Sequence, residues 1–161
     1  MNERETMQVR RAISSDVGLI FSFLQKKAAF DHQIGAFPGV LQVSEEKIRQ
    51  TLFGPIAFAH VLFVETRGQP IGFALYEFRY SSFVGQPSIW LDDLYVDENR
   101  RSQGAGTALM QDLAQIARKN DCTHLAWTAD SRNRRGLSFY QRLGAEITEQ
   151  KAYRCFWAWT P

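Results

Sequence analysis

The sequence predicts a mixed α+β fold: one sheet with helices on its faces. Three observations lead there. Short aromatic and β-branched runs recur between turn signals, other segments repeat apolar residues every three or four positions, and the two kinds alternate as βααβββαβαβ.

Residues 7–11 read as a strand behind a polar, frayed start. Ser14, Ser15 and Asp16 offer N-cap oxygens to a helix whose apolar face is Val17, Ile20, Phe21, Leu24 and Ala28. Gly35, Pro38 and Gly39 break it, and Ser44 with Glu45 and Glu46 starts a second helix holding Ile48 and Leu52. Residues 59–65 and 71–78 form a hairpin across a polar turn over 66–70. After a break over 81–88, with Gly85 and Pro87, residues 89–96 form a strand of large side chains with two carboxylates in its middle. Ala105, Leu109, Leu113, Ile116 and Ala117 make one stripe of a strong amphipathic helix. Residues 123–128 form a further strand, Asn133 caps a helix that runs to Leu143, and Gly144 stops it. A strand near 145–148 and an aromatic strand over 153–159 close the chain.

A length of 161 residues suits a single domain, 1–161. The formal charge of +2 is too balanced to suggest a nucleic-acid or membrane-surface partner. The longest apolar stretch, around 53–64, is interrupted by Gly54, Pro55 and His60 and falls short of the roughly 20 residues that a bilayer helix needs. Residues 1–6 are polar and mixed in charge, with no signal-peptide core, so a cytoplasmic location is expected. Cys122 and Cys155 read as two free thiols, and His32, His60 and His124 lack ligand spacing, so no metal is expected.

The informative segment is the strand Ile89-Trp-Leu-Asp-Asp-Leu-Tyr-Val96, then a basic loop with Gly104 and Gly106, then the strong helix. Glycines let backbone approach a ligand, and the free amides and positive dipole end of the helix favour an anion. Arg100 and Arg101 add charge beside them, so a diphosphate is expected here. No Lys-Ser or Lys-Thr follows the glycines, and position 109 is Leu, which disfavours ATP and NAD.

These residues resemble a known family. Arg101-Ser-Gln-Gly104-Ala-Gly106 fits the R/Q-x-x-G-x-G/A signature of the GNAT N-acetyltransferase superfamily. Asn133, then Leu137-Ser-Phe-Tyr140, then Gly144-Ala145 is similar to that family's second block. Gly72-Phe-Ala-Leu-Tyr-Glu-Phe-Arg-Tyr80, Phe83-Val-Gly85 and the strand 89–96 resemble the diamine (spermidine/spermine) and thialysine N-acetyltransferase branch.

The resemblance implies the GNAT fold, a mostly antiparallel sheet splayed at its centre, with acetyl-CoA in the opening. Leu94, Tyr95 and Val96 would be the strand edge that meets it, and Arg101, Ser102, Gln103, Gly104, Ala105, Gly106 and Thr107 the loop and helix start that hold its diphosphate. Asn133 and Tyr140 would also contact it. The implied reaction is acetyl transfer to a primary amine of a small molecule: a diamine or polyamine, thialysine, or a lysine-like compound. An alkylammonium with a pKa of about 10.4 is neutral in fewer than about one molecule per thousand at pH 7, so a base is needed. Asp92 is the expected base, the Leu94 amide an oxyanion donor, and Tyr140 the acid that protonates the departing thiolate.

Strand alternation sends Asp92 and Asp93 to opposite faces unless a bulge rotates the chain. Asp31, Glu77, Asp92 and Asp93 are the expected carboxylates of the acceptor groove, and Phe30, Phe83 and Trp127 its aromatic walls. Polyamine-acetylating relatives carry an acidic residue before the aromatic-I-G motif and acidic residues before the last strand; here those regions read Ser81-Ser82 and Glu149-Gln-Lys151, a partial match, so the acceptor stays open between polyamine and lysine-like amine. A catalytically silent CoA-binding or regulatory module is the alternative reading, and a purely structural loop a third. The apolar strand 153–159 is expected to be buried or to pair across subunits, and relatives are commonly dimers, so a homodimer is expected.

Overall fold

In the computed structural model residues 6–161 are described, and the reading of the polar start at 1–5 lies outside them. Among the described residues the elements are β1 (Met7–Arg11), α1 (Val17–Gln33), α2 (Glu45–Leu52), β2 (His60–Thr66), β3 (Gln69–Ser81), β4 (Gln86–Val96), α3 (Ala105–Lys119), β5 (Leu125–Asp130), α4 (Arg134–Leu143), β6 (Glu146–Lys151) and β7 (Arg154–Trp159). They build one mixed sheet in the order β1-β2-β3-β4-β5-β7-β6. Each neighbouring pair is antiparallel except β4 with β5.

Alternation along β2 explains the layers. Leu62 and Val64 face the α3 side, where they join Leu109, Leu113, Trp127 and Trp157 in one core. Val61 and Phe63 face the other side, against Val17, Ile20 and Phe23 of α1 and Ile48 of α2. Both faces of the central strands are therefore buried, and the best helix by sequence, α3, covers one of them with all five of its expected stripe residues buried.

Four local expectations are corrected. Asp16 gives α1 no side-chain cap, because its carboxylate is engaged by Arg10 at 2.8 Å and by the Ile13 amide at 2.8 Å, which shapes a 3-10 turn ahead of the helix. Phe23 is among the deeply buried residues of α1, while Phe21, Leu24 and Ala28 are half-buried. The break over 81–88 is a tight turn, since β3 runs on to Ser81 and β4 begins at Gln86. Of the two alternatives for the last strand, burial holds and pairing across subunits is corrected: β7 lies between β5 and β6, with both edges taken and Cys155 and Trp157 buried.

Two irregularities position the site. β4 pairs with β5 only at Ile89 opposite Leu125 and Trp90 opposite Ala126, so the sheet opens beyond Trp90. On the other edge, Asp93 pairs with Leu75 and Leu91 with Tyr76, which leaves Asp92 as the extra residue of a β-bulge. The bulge switches side-chain parity. Ile89 and Leu91 pack into the α3-side core before it, and Leu94 and Val96 pack there after it.

Candidate active site

The opened sheet holds two cavities. The larger, about 470 Å³, is lined by Leu94, Tyr95 and Val96 of β4, by Arg101, Ser102 and Gly104 of the loop, by Ala105, Gly106 and Thr107 of α3, and by Asn133, Phe139 and Tyr140. The first amides of α3 have no intrahelical acceptor, which leaves donors and a positive dipole end at this wall. Gly104, as N-cap, adopts φ 95°, a left-handed conformation that glycine takes without strain. Gly106 is small for another reason: a Cβ there would lie 3.2 Å from the Phe139 ring, where α3 meets α4.

The basic residues divide. The Arg101 guanidinium donates to the Val96 carbonyl at 2.9 Å and lies over the rings of Phe30 and Tyr95, so it lines the large cavity in a fixed pose. Arg100 turns instead to Thr66, 2.7 Å from its hydroxyl. Arg135 and Arg142, which the sequence reading passed over, line the cavity from α4, and Arg135 donates to Ser102 at 2.7 Å. Gln103 is exposed on the loop and is not among the lining residues.

The second cavity, about 310 Å³, lies where β4 and β5 have parted. Asp31, Asp92, Asp93 and Asp130 line it, with Trp127 in its wall. The bulge lets both consecutive aspartates border the same space, which simple alternation forbids. Their settings differ. Asp92 is exposed at the bulge, whereas the Asp93 side chain is only 19% exposed. Burial pushes the Asp93 carboxyl up to about 6; Lys27, 3.9 Å away, pulls it down, and Asp92 and Asp31 push it further up.

The two cavities share Lys27, Leu94, Asn133 and Tyr140. Tyr140 is buried against Trp127 and Trp157, with ring centroids 4.9 Å and 5.4 Å away. Burial, with a smaller effect of Asp93 and Asp31, holds its hydroxyl proton well above the ordinary phenol value. Asn133 caps α4, its side-chain oxygen accepting from the Gly136 amide at 3.0 Å.

Three sequence-predicted residues stand elsewhere. Phe83 is fully exposed at the β3–β4 hairpin tip, carried away from the opening by the length of those strands. Glu77 pairs with Arg79 on the surface, and Phe30 lines the larger cavity rather than the acidic one. Lys27 was missed by sequence reasoning. Its only signal was the i,i+4 spacing to Asp31, a pattern that usually marks a solvated helix face.

Comparison with known proteins identifies the family and the fold. The acetyltransferase (GNAT) family model matches residues 27–145. A thialysine N-epsilon-acetyltransferase from Bos taurus is 30% identical over 159 residues, spanning 93% of this chain and 91% of that protein. An aminoglycoside acetyltransferase from an uncultured soil metagenomic sample superimposes with a TM-score of 0.76 at 17% identity, covering 91% of this chain and 92% of that one. The PaiA N-acetyltransferase of Thermoplasma acidophilum, solved in complex with coenzyme A, gives 0.74 at 14% identity, covering 97% and 99%.

Proposed function

The chain belongs to the GNAT acetyltransferase family, and from that premise we propose that it moves an acetyl group from acetyl-CoA to a primary amine of a small molecule, a diamine or a lysine-like amine, by direct attack. One observation carries the reading: a large cavity with free helix amides and a smaller acidic cavity share Tyr140 and Leu94. A relative that acetylates thialysine supports an amine of that size, and residues 1–161 act as one domain in this reading.

Acetyl-CoA, when bound, supplies an acetyl group already activated as a thioester. The residues fit it. The backbone edge of Leu94, Tyr95 and Val96 has no β5 partner, the α3 amides suit a diphosphate, and Arg101, Arg135 and Arg142 bring charge to the same wall. Ser102, Gly104, Ala105, Gly106, Thr107 and Asn133 complete this surface.

On the acceptor side, Asp92 at the bulge meets the incoming ammonium from solvent. The base role expected of Asp92 passes in this proposal to its neighbour Asp93, whose carboxyl is pushed up to about 6 by burial and is thereby a stronger base than an exposed aspartate, taking the amine proton directly or through water. Asp31 and Trp127 shape the remaining walls. The Leu94 amide is the oxyanion donor, and Tyr140, which keeps its proton at neutral pH, returns one to the thiolate.

No helix among the described residues is long and apolar enough to cross a membrane. A cytoplasmic location is part of the proposal, supported by the free thiols of Cys122 and Cys155. A homodimer is part of the proposal. Its support moves from β7 to the exposed aromatic rim of the β3–β4 hairpin at Phe78, Tyr80 and Phe83. The test is thiol release from acetyl-CoA with a panel of diamines, thialysine and lysine. Amine-dependent release is expected; acetyl-CoA binding without it would assign the chain to the silent module instead.

A further inference from the structure

The acidic cavity contains a cation of its own. Lys27 of α1 borders both cavities, its ammonium forms an ion pair with Asp31, and it lies 3.9 Å from Asp93. Side-chain exposures of 21%, 24% and 19% put all three charges where water screens them weakly. Lys26, its neighbour on α1, is directed away to Asp97 at 2.8 Å.

We propose that Lys27 is a tethered counter-ion that sets how many positive charges an acceptor can carry, favouring a diamine over longer polyamines. The proposal rests on the acetyl-transfer reading and adds a specificity-determining residue to it. Its argument is an inventory of carboxylates. Asp130 is held by the Arg132 guanidinium at 2.8 Å and 2.7 Å, and Asp31 is held by Lys27. Asp93 serves the reacting nitrogen, which leaves its charge behind as a proton. Asp92 alone of the four then remains exposed for a further ammonium. A diamine satisfies that set. A third ammonium could reach Asp31 only by displacing Lys27, an intramolecular competitor that is always present at high effective concentration. It would also meet the Lys27 charge at short range, with Arg154 bordering the same space.

The test is the ratio of kcat/KM for spermine to that for 1,3-diaminopropane, measured on the wild type and four variants. Lys27→Met keeps the stem and removes the charge, and should raise the ratio at least about tenfold, a change equivalent to about 1.4 kcal/mol. Lys27→Arg should hold the wild-type ratio. Asp31→Asn should not raise it, and adding Lys27→Met to Asp31→Asn should abolish most of the gain, because the freed carboxylate is gone. Should Lys27→Met not fold, Lys27→Gln carries the same reading. An unchanged ratio in a charge-removed variant that still acetylates the diamine would overturn the role of Lys27 and leave the acetyl-transfer reading intact. A gain that persists in the double variant would overturn it too. A wild type that acetylates no amine would sink both.

Discussion

At the scale of single residues, the two adjacent aspartates separate by environment. Asp93 is a carboxylate raised in the folded state, the reverse of the usual salt-bridged case, so its contribution to stability falls as pH rises from 3.8 through about 6. Asp93→Asn should therefore raise the melting temperature at pH 8 and change it little near pH 4. The displacement, already net of the Lys27 attraction, corresponds to at most about 3 kcal/mol, and the unmade hydrogen bonds of a buried amide offset part, leaving a gain on the order of 1 kcal/mol. The same variant should lower turnover about a hundredfold or more and remove an acid limb near pH 6 from kcat/KM for the amine. Turnover that survives undiminished in Asp93→Asn would return the base role to Asp92. Tyr140→Phe should lower kcat by roughly tenfold to a hundredfold while the acetyl-CoA KM stays near the wild-type value, read by steady-state kinetics. Equal turnover would remove Tyr140 from the acid role.

At the scale of elements, β4 is the organising strand. Its bulge makes Asp92 and Asp93 neighbours of one cavity, and the loss of its β5 partner beyond Trp90 frees the edge at Leu94, Tyr95 and Val96. The α3–α4 contact sets the opposite wall. Because a Cβ at Gly106 would already press on Phe139 at 3.2 Å, Gly106→Val should cost about 1–3 kcal/mol by overpacking. Urea unfolding of the variant against the wild type measures it. Acetyl-CoA affinity should drop as well, since the same two elements line the large cavity. Unaltered stability would mean that the Phe139 ring moves aside without strain.

At the scale of the whole molecule, one sheet with a core on each face is pried open at its centre, and the two cavities occupy the resulting space. The larger is walled by α1, β4, the glycine loop, α3 and α4. A ligand that bridges so many elements stabilises the native state by mass action, about 2.7 kcal/mol at a hundred times its Kd. Acetyl-CoA addition should therefore lift the melting temperature by several degrees in the same preparation that releases thiol. The two cavities adjoin, since Lys27 of α1, Leu94 of β4 and Tyr140 of α4 border both, and in the proposed reaction acyl donor and acceptor would meet at those residues.

The sequence by itself determined the element order, the α3 stripe, the Ser44, Asn133 and Gly144 helix boundaries and the glycine loop that leads into α3. These depend on periodicity, capping and turn chemistry, which act between residues a few positions apart. Even the bulge left a trace, because the apolar residues of β4 slip phase from Ile89 and Leu91 to Leu94 and Val96. Tertiary structure alone decided that β7 is internal, that Phe83 stands outside the site, that Arg100 serves Thr66 while Arg101 stays, and that Lys27 sits among the aspartates. Each of those outcomes is fixed by where distant segments pack on the sheet, and charge and burial at such a junction arise from neighbours in space rather than neighbours in the chain.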